Sequence, residues 1–212
     1  MDGVWSKPEP VSFSSDFGDH AQTITYVGSR MFVSSHRPLP GTINENRNGI
    51  WFVDKTDEGW GEPQYFGQGR QVSVSKNRTL YYRDPDNYPN DRIVIRHFKD
   101  GKYTEPEILR IGVDGHRPGH PWIALDESYI LFDTWHPEGQ GKGLYPDFYV
   151  CFRRKDGSWN EAINLGNTIN KELHNNICTV SPDGKYFFYT YEGDLYWVDA
   201  QIIENLKPKK LK

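Results

Sequence analysis

The stretch Ser181-Pro182-Asp183-Gly184-Lys185-Tyr186-Phe187-Phe188-Tyr189-Thr190 decides the fold class of this chain. Its first four residues are typical of a tight turn, and the aromatic run after them is typical of a strand. Similar turns begin at Tyr26, Ser75 and Leu125 and precede strand-like runs, so with Ser181 the steps are 49, 50 and 56 residues. A period of this length indicates a repeat protein whose units are small sheets.

A third strand is predicted after each of these hairpins, at 49–53, 92–95, 147–150 and 194–198.

A second motif then marks a fourth strand in three of the units. Its copies are Asp57-Glu58-Gly59-Trp60-Gly61-Glu62-Pro63, the related run at 100–106, and Asp156-Gly157-Ser158-Trp159-Asn160-Glu161. The glycine suits a hairpin turn, and the proline suits an edge strand that can spare a hydrogen-bond donor. The aromatic residues Trp60, Tyr103 and Trp159 are expected to pack between sheets.

The last unit has no such copy, because after Val198 the chain continues as a predicted short helix and basic tail over 200–212. The missing copy stands at the other end of the chain, as Asp2-Gly3-Val4-Trp5-Ser6-Lys7-Pro8. We therefore expect a single all-β domain over 1–212, a β-propeller of four four-stranded antiparallel blades. The N-terminal strand, within 2–10, would complete the last blade and protect its edge. A fragment of a five- to seven-bladed propeller is the alternative.

Composition argues against several other classes of protein. The 212 residues carry a net charge of −4, so a nucleic-acid-binding surface is not expected. No apolar run of about 18 residues and no basic, apolar leader occurs, so neither membrane insertion nor a signal peptide is expected. Cys151 and Cys178 form no disulfide framework and no zinc motif, and we expect buried free thiols.

The chain resembles the WD-repeat-like, TolB-type β-propeller proteins of bacteria. The resemblance rests on Ser181-Pro182-Asp183-Gly184-Lys185-Tyr186-Phe187-Phe188, on Asp194-Leu195-Tyr196-Trp197-Val198-Asp199 and on the Asp-Gly-x-Trp-x-Glu-Pro runs. It implies an architecture and no single function, because such propellers serve as protein-docking platforms, peptidase accessory domains or sugar-processing enzymes. It also implies a periplasmic or extracellular location, whereas the chain without that resemblance would be placed in the cytoplasm.

Most histidines are predicted to lie on one face of the propeller. In a blade of antiparallel strands, the loops between blades and those between the second and third strands share one face. Six of the seven histidines fall in these loops: His20, His36, His116, His120, His136 and His174. Aligning the inner strands places Arg70, His120 and Asn176 at equivalent positions near the axis, with His20 one position earlier in its own strand.

Three interpretations of this face remain open. Its histidines could serve only to bond turns and backbone groups. Alternatively, the face is a ligand site, in which arginine and histidine donate to carboxylate or phosphate and tryptophan offers a flat surface to sugars or peptide side chains. The predicted members of that site are His20, Arg70, His120, Asn176, Trp122, Trp135 and His136. The third interpretation is a metal site of His20, His120 and His174, with Gln71 or Asn176 nearby, for Mn, Zn or Fe.

We expect a binding module rather than an enzyme, because no nucleophile elbow, metalloprotease motif or phosphate-binding loop occurs. Asp126 and Asp183 are expected to serve their turns. The expected partner is a protein or carbohydrate ligand at the channel mouth, with no cofactor, and self-association is left open. The alternative is a metal-dependent, sugar-active lyase or hydrolase with a divalent metal on the axis. Replacing Arg70 or His120 is expected to cost little stability.

Overall fold

The computed structural model describes residues 6–41, 49–84, 92–111, 117–136, 139, 141–142, 145–172 and 175–211; the side chains of residues 21, 22 and 175 are not part of the description. These residues form antiparallel sheets, one short α-helix and a turn of 3-10 helix. None of the described helices has the length and apolar character that crossing a membrane requires.

The strands form four blades that follow one another along the chain. Blade 1 contains β1 (Asp19–Ile24), β2 (Arg30–Ser35), β3 (Gly49–Thr56) and β5 (Gln64–Gln68), with β4 (Gly59–Trp60) paired to the end of β3. Blade 2 contains β6 (Arg70–Val74), β7 (Leu80–Asp84), β8 (Arg92–Arg96) and β11 (Glu107–Ile108), beside the small hairpin of β9 (Phe98–Lys99) and β10 (Lys102–Tyr103). Blade 3 contains β12 (Gly119–Ile123), β13 (Tyr129–Thr134), β14 (Asp147–Phe152) and β15 (Ile163–Asn164). Blade 4 contains β16 (Asn175–Val180), β17 (Tyr186–Tyr191) and β18 (Asp194–Asp199), and α1 (Gln201–Leu206) follows it.

This arrangement confirms the predicted four-bladed propeller. Neighbouring blades are joined by buried clusters that draw residues from both sheets: Phe32 with Val72, Tyr81 with Phe132, and Phe148 with Phe187. Burying such aromatic and branched side chains is the main favourable term for a sheet that cannot bury either face alone. The predicted thiols, Cys151 and Cys178, form no disulfide and are buried in these clusters.

The hairpin turns between first and second strands also follow the prediction. Asp126 Oδ1 accepts a hydrogen bond from the backbone N–H of Ser128, at 3.0 Å. Asp183 Oδ1 accepts from the Ser181 hydroxyl at 2.6 Å and from the Lys185 backbone N–H at 3.2 Å. These short-range bonds fix the turns, so both aspartates have the structural role expected of them.

The tryptophan motif was expected to be the fourth strand itself, and the structure corrects its place. Gly59–Trp60 and Lys102–Tyr103 lie in short hairpins that precede the edge strand, and Trp159 forms an isolated bridge with Arg153. The edge strands β5, β11 and β15 begin four residues after the aromatic residue, at 64, 107 and 163. The expected packing between sheets is confirmed for Tyr103 and Trp159, which lie against clusters shared by two blades, whereas Trp60 lies against a cluster of blade 1 residues and Phe13.

The N-terminal strand that was expected to complete blade 4 lies partly outside the described residues. Residues 1–5 are among those not described, and 6–10 are exposed and form no strand. Within the described chain, β18 pairs with β17 alone. Closure of the ring by the N-terminal segment therefore stays a prediction.

Candidate functional site

The first strands of all four blades line one cavity of about 780 Å³ on the propeller axis. We call this cavity the upper chamber. Its lining includes the polar side chains Asp19, His20, His36, Arg70, Gln71 and His120. Trp122 lines its deeper end, together with Thr23, Ser73 and Thr179. The chamber therefore combines basic groups at its mouth with an indole ring further in.

An irregularity in the inner strands brings some of these side chains into the chamber. Gln71, His120 and Ile177 have φ values of 59°, 39° and 52°, which residues other than glycine adopt rarely. Each lies where the pairing of the first and second strands of its blade shifts register. Such bulges turn a side chain away from its regular alternation, and strained backbone of this kind is concentrated at functional sites.

His120 is held by two side chains from different blades. Its Nδ1 lies 2.7 Å from Oδ2 of Asp133, and its Nε2 lies 2.6 Å from Nε2 of Gln71. Because the carboxylate can only accept, Nδ1 carries the proton and donates to Asp133. Nε2 then accepts from the Gln71 amide, whose oxygen accepts from the His120 backbone N–H at 3.1 Å. This tautomer is assigned from the partners of the ring.

Asp133 is the buried member of this group. Its side chain is 1% exposed, and its Oδ1 has no hydrogen-bond partner among the described residues. A Cβ built on Gly119, directly opposite on β12, would lie 2.5 Å from that oxygen. Position 119 therefore needs a glycine, because any side chain would displace the carboxylate that orients His120.

The acidic residue of the chamber is paired. Asp19 Oδ2 accepts from Arg37 Nη2 at 2.8 Å and from the Ser15 backbone N–H at 3.0 Å. Burial raises the pKa of Asp19, but hydrogen bonds from Ser35 and Ser15 and the charge of Arg37 lower it by more, so its pKa lies below the ordinary value. Asp19 is therefore ionised and paired with Arg37 at the edge of the chamber, which Arg70 also lines.

A second arginine lies next to Arg70. Arg70 on β6 and Arg83 on β7 are directly opposed partners in the register of the two strands. Side chains at opposed positions share one face of the sheet, and like charges there repel. The pair therefore places two guanidinium groups beside the upper chamber.

The structure brings together four of the seven predicted ligand-site residues. His20, Arg70, His120 and Trp122 all line the upper chamber. Asn176 is not among its lining residues, because the bulge turns the next residue, Ile177, into the cavity instead. Trp135 and His136 follow the end of β13 and do not line the chamber either.

Two residues that complete the site had no predicted role in ligand binding. Gln71 was expected only as a neighbour of a metal site, and Asp133 was not singled out. The alignment of inner strands was one residue out of register at Arg70 and Asn176, because the equivalent bulge residues with positive φ are Gln71, His120 and Ile177. An aspartate in the buried run of β13 was the available signal for Asp133.

Two of the three histidines predicted as metal ligands lie among the described residues. His20 and His120 line the chamber, whereas His174 lies outside the described residues. Among the described residues, no three histidine, cysteine or acidic side chains are grouped so that they could hold a metal ion.

Solved structures provide the comparison with known proteins. No protein-family model matches the chain, and no curated protein matches its sequence. Putative TolB from Agrobacterium tumefaciens is 14% identical, with a TM-score of 0.55 over 83% of this chain and 59% of that one. TolB from Acinetobacter baumannii is 15% identical, with a TM-score of 0.56 over 89% of this chain and 43% of that one. A gluconolactonase from Xanthomonas campestris is 14% identical, with a TM-score of 0.52 over 83% and 55%.

These likenesses define the fold class. The chain is a β-propeller whose structural neighbours include TolB-type propellers. It spans 43–59% of the length of these three neighbours. At such low identity the fold alone is shared, and the activities named for the neighbours belong to those proteins.

Proposed function

We propose that the chain is a binding module whose upper chamber takes the carboxylate of a sugar acid or of a peptide. The observation that carries the proposal is the convergence of Arg70, His20 and His120 with Trp122 in one cavity on the axis. A guanidinium group binds carboxylates with two parallel hydrogen bonds, and an indole ring accepts the apolar face of a sugar or side chain.

The charge of the chamber supports an anionic ligand. Asp19 is neutralised by Arg37, and Asp133 lies behind His120 with a side chain that is 1% exposed. Arg70 lines the chamber and Arg83 lies opposite it in the sheet register, so two guanidinium groups lie at this cavity. A partly enclosed, positively charged cavity concentrates anions.

The bonding of His120 supports a binding role over acid–base catalysis. Both ring nitrogens already have partners, Asp133 and Gln71, so the ring is a fixed wall of the chamber. A general base needs its acceptor nitrogen directed at the substrate. In this arrangement the acceptor nitrogen is directed at an amide.

The experiment compares ligands that differ only in the carboxylate. Titration calorimetry is expected to detect binding of glucuronate but not glucose, or of a short peptide with a free carboxyl terminus but not its C-terminal amide. Arg70→Gln is expected to weaken the binding at least about tenfold. Arg92→Gln, at an exposed arginine on β8, is the matched control. Equal binding of the acid and its neutral partner, or no binding of either acid, would refute the proposal.

One observation favours a second candidate, the metal-dependent sugar-active enzyme. A histidine that ligates a metal usually donates its other ring N–H to a carboxylate, and His120 donates to Asp133 in this way. Rotation of the Gln71 amide would then release Nε2 toward the chamber. Elemental analysis of the purified protein and of His120→Ala tests this candidate. Stoichiometric Mn, Zn or Fe that is lost in the variant would favour it over the binding module.

A further inference from the structure

The channel does not end at the upper chamber. Thr23, Ser73, Trp122 and Thr179 occupy equivalent positions in the four inner strands, and they line both the upper chamber and a second cavity of about 810 Å³. We call this second cavity the lower chamber. It opens toward the hairpin turns and the start of α1, on the opposite face of the propeller. Of the predicted and proposed ligand-site residues, only Trp122 lines it.

The two chambers differ in charge. The described lining of the lower chamber contains the carboxylates of Asp126, Asp183 and Glu204 and no lysine, arginine or histidine. Asp183 and Glu204 have partners nearby, because Lys185 lies 3.4 Å from the first and Lys207 lies 3.7 Å from the second. Asp126 is bonded by a backbone N–H and makes no ion pair among the described residues. Its negative charge is therefore available to a ligand.

Aromatic rings form the wall beside Asp126. Trp122 and Tyr129 both line the chamber, with ring centroids 5.8 Å apart and planes inclined at 39°. Burial raises the pKa of the Tyr129 hydroxyl, and the negative charges of Asp126 and Glu204 raise it further. Both carboxylates are therefore close enough to Tyr129 to make the electrostatic potential around its ring more negative.

The chain itself places an ammonium group on an aromatic ring of this chamber. Lys76 Nζ lies 4.9 Å from the centroid of Tyr26, which is 56% exposed and lines the cavity. A cation over an aromatic face is attracted by the negative face of the ring. The same attraction is open to a small cation that enters the chamber toward Trp122 and Tyr129.

We propose that the lower chamber is a second ligand site and that it binds a small organic ammonium compound. Trp122 and Tyr129 would contact the methyl or methylene groups around the nitrogen, and Asp126 would supply the opposing charge. Aromatic rings commonly surround bound quaternary ammonium groups, and a nearby carboxylate adds Coulomb attraction. A neutral ligand of the same shape would gain the apolar contact alone.

The test uses choline and its uncharged carbon analogue, 3,3-dimethylbutan-1-ol, with the full chain. Titration followed by NMR is expected to show saturable binding of choline and binding of the alcohol at least about fivefold weaker. Asp126→Asn keeps the oxygen that accepts from Ser128 and removes the charge, so it is expected to weaken choline binding by a similar factor. Asp156→Asn is the matched control, because Asp156 accepts from the Ser158 backbone N–H in an equivalent exposed turn, at 2.9 Å.

Three outcomes would overturn the proposal: choline that does not bind, choline and the alcohol that bind alike, or an Asp156→Asn variant that loses as much affinity as Asp126→Asn. A circular dichroism spectrum of each variant establishes that it is folded. Asp126→Asn is expected to leave glucuronate binding unchanged and Arg70→Gln to leave choline binding unchanged, because the two charged residues line different chambers. Failure at the lower chamber therefore leaves the carboxylate site standing, and the reverse also holds.

Discussion

Asp133 and His120 form a carboxylate–imidazole pair at the mouth of the upper chamber, with 2.7 Å between Oδ2 and Nδ1 and with the Asp133 carboxylate buried. The pair joins the first and second strands of blade 3, and Gln71 extends it to blade 2. A side chain at the mouth of a channel was expected to contribute little to stability. His120 is an exception, because it is the hydrogen-bond donor to the buried carboxylate of Asp133.

We expect His120→Ala to lower the free energy of unfolding at pH 7 by about 2–4 kcal/mol, because it leaves a buried carboxylate without its donor. Urea unfolding of His120→Ala, Asp133→Ala and the double variant measures the coupling. The double variant is expected to be more stable than the sum of the single changes predicts, by about 1–3 kcal/mol. Additive effects would show that the pair contributes nothing.

A second buried carboxylate joins blades 2 and 3 near the hairpin turns. Glu127 Oε1 accepts from the Ser75 hydroxyl at 2.8 Å, and Oε2 lies 2.6 Å from Arg153 Nη1. Burial raises the pKa of Glu127, but hydrogen bonds from Ser75, Thr79 and Arg153 lower it by more, so its pKa lies below the ordinary value. The folded state therefore holds the carboxylate in its ionised form.

The pH dependence of stability follows from the lowered pKa of Glu127. A carboxyl whose pKa is lower in the folded protein stabilises it fully above the unfolded value of about 4.3. That contribution is lost as the pH falls through the folded pKa. We expect Glu127→Gln to lower the free energy of unfolding by about 1–3 kcal/mol at pH 7, and by less at pH 3. Glu161→Gln, at an exposed glutamate, serves as the control, and an equal loss at both pH values would contradict the prediction.

The sequence was sufficient to predict the blades, because turn residues and aromatic strands carry local signals that repeat. It was not sufficient to align the inner strands at the axis. A bulge adds one residue without any mark in composition, so Arg70 was predicted where Gln71 contributes the amide, and Asn176 where Ile177 lies. Partners such as Asp133 come from another strand, and a single sequence does not show which residues meet across strands.

An aromatic side chain packed against a buried cluster and an exposed one are expected to differ in their contribution to stability. Trp159 packs against the cluster between blades 2 and 3, and the Arg153 guanidinium lies 5.8 Å from its ring centroid. Trp159→Ala is expected to cost about 3 kcal/mol of stability and to leave glucuronate binding unchanged. Trp135→Ala, at a tryptophan that is 39% exposed, is the matched control and is expected to change neither. A Trp159 variant that melts like the native protein would contradict the packing role.

The N-terminal copy of the tryptophan motif gives the last prediction, which concerns the edge of β18. This strand pairs with β17 alone among the described residues, and Leu195 and Trp197 on it are 69% and 60% exposed. In blades 2 and 3 the residue six positions after the motif aromatic, Leu109 or Leu165, is 7% exposed. The equivalent residue after Trp5 is Val11, which is 43% exposed. We expect the N-terminal segment to dock on β18 in solution and to bury Val11 in the same way.

If the N-terminal segment docks on β18, a charged residue at position 11 should lower the free energy of unfolding, although an exposed position would tolerate it. Val11→Asp is expected to lower the free energy of unfolding by about 1–2 kcal/mol, and deletion of 1–12 by about 2–4 kcal/mol, through lost ladder bonds and apolar burial. Val27→Asp, at a valine that is 67% exposed in the first hairpin turn, should cost nothing comparable. Hydrogen exchange at the β18 amides should be slow in the full chain and fast after the deletion, since an unpaired edge is open to water. If Val11→Asp unfolds like the native protein and the β18 amides exchange equally fast in both chains, the N-terminal segment does not complete blade 4.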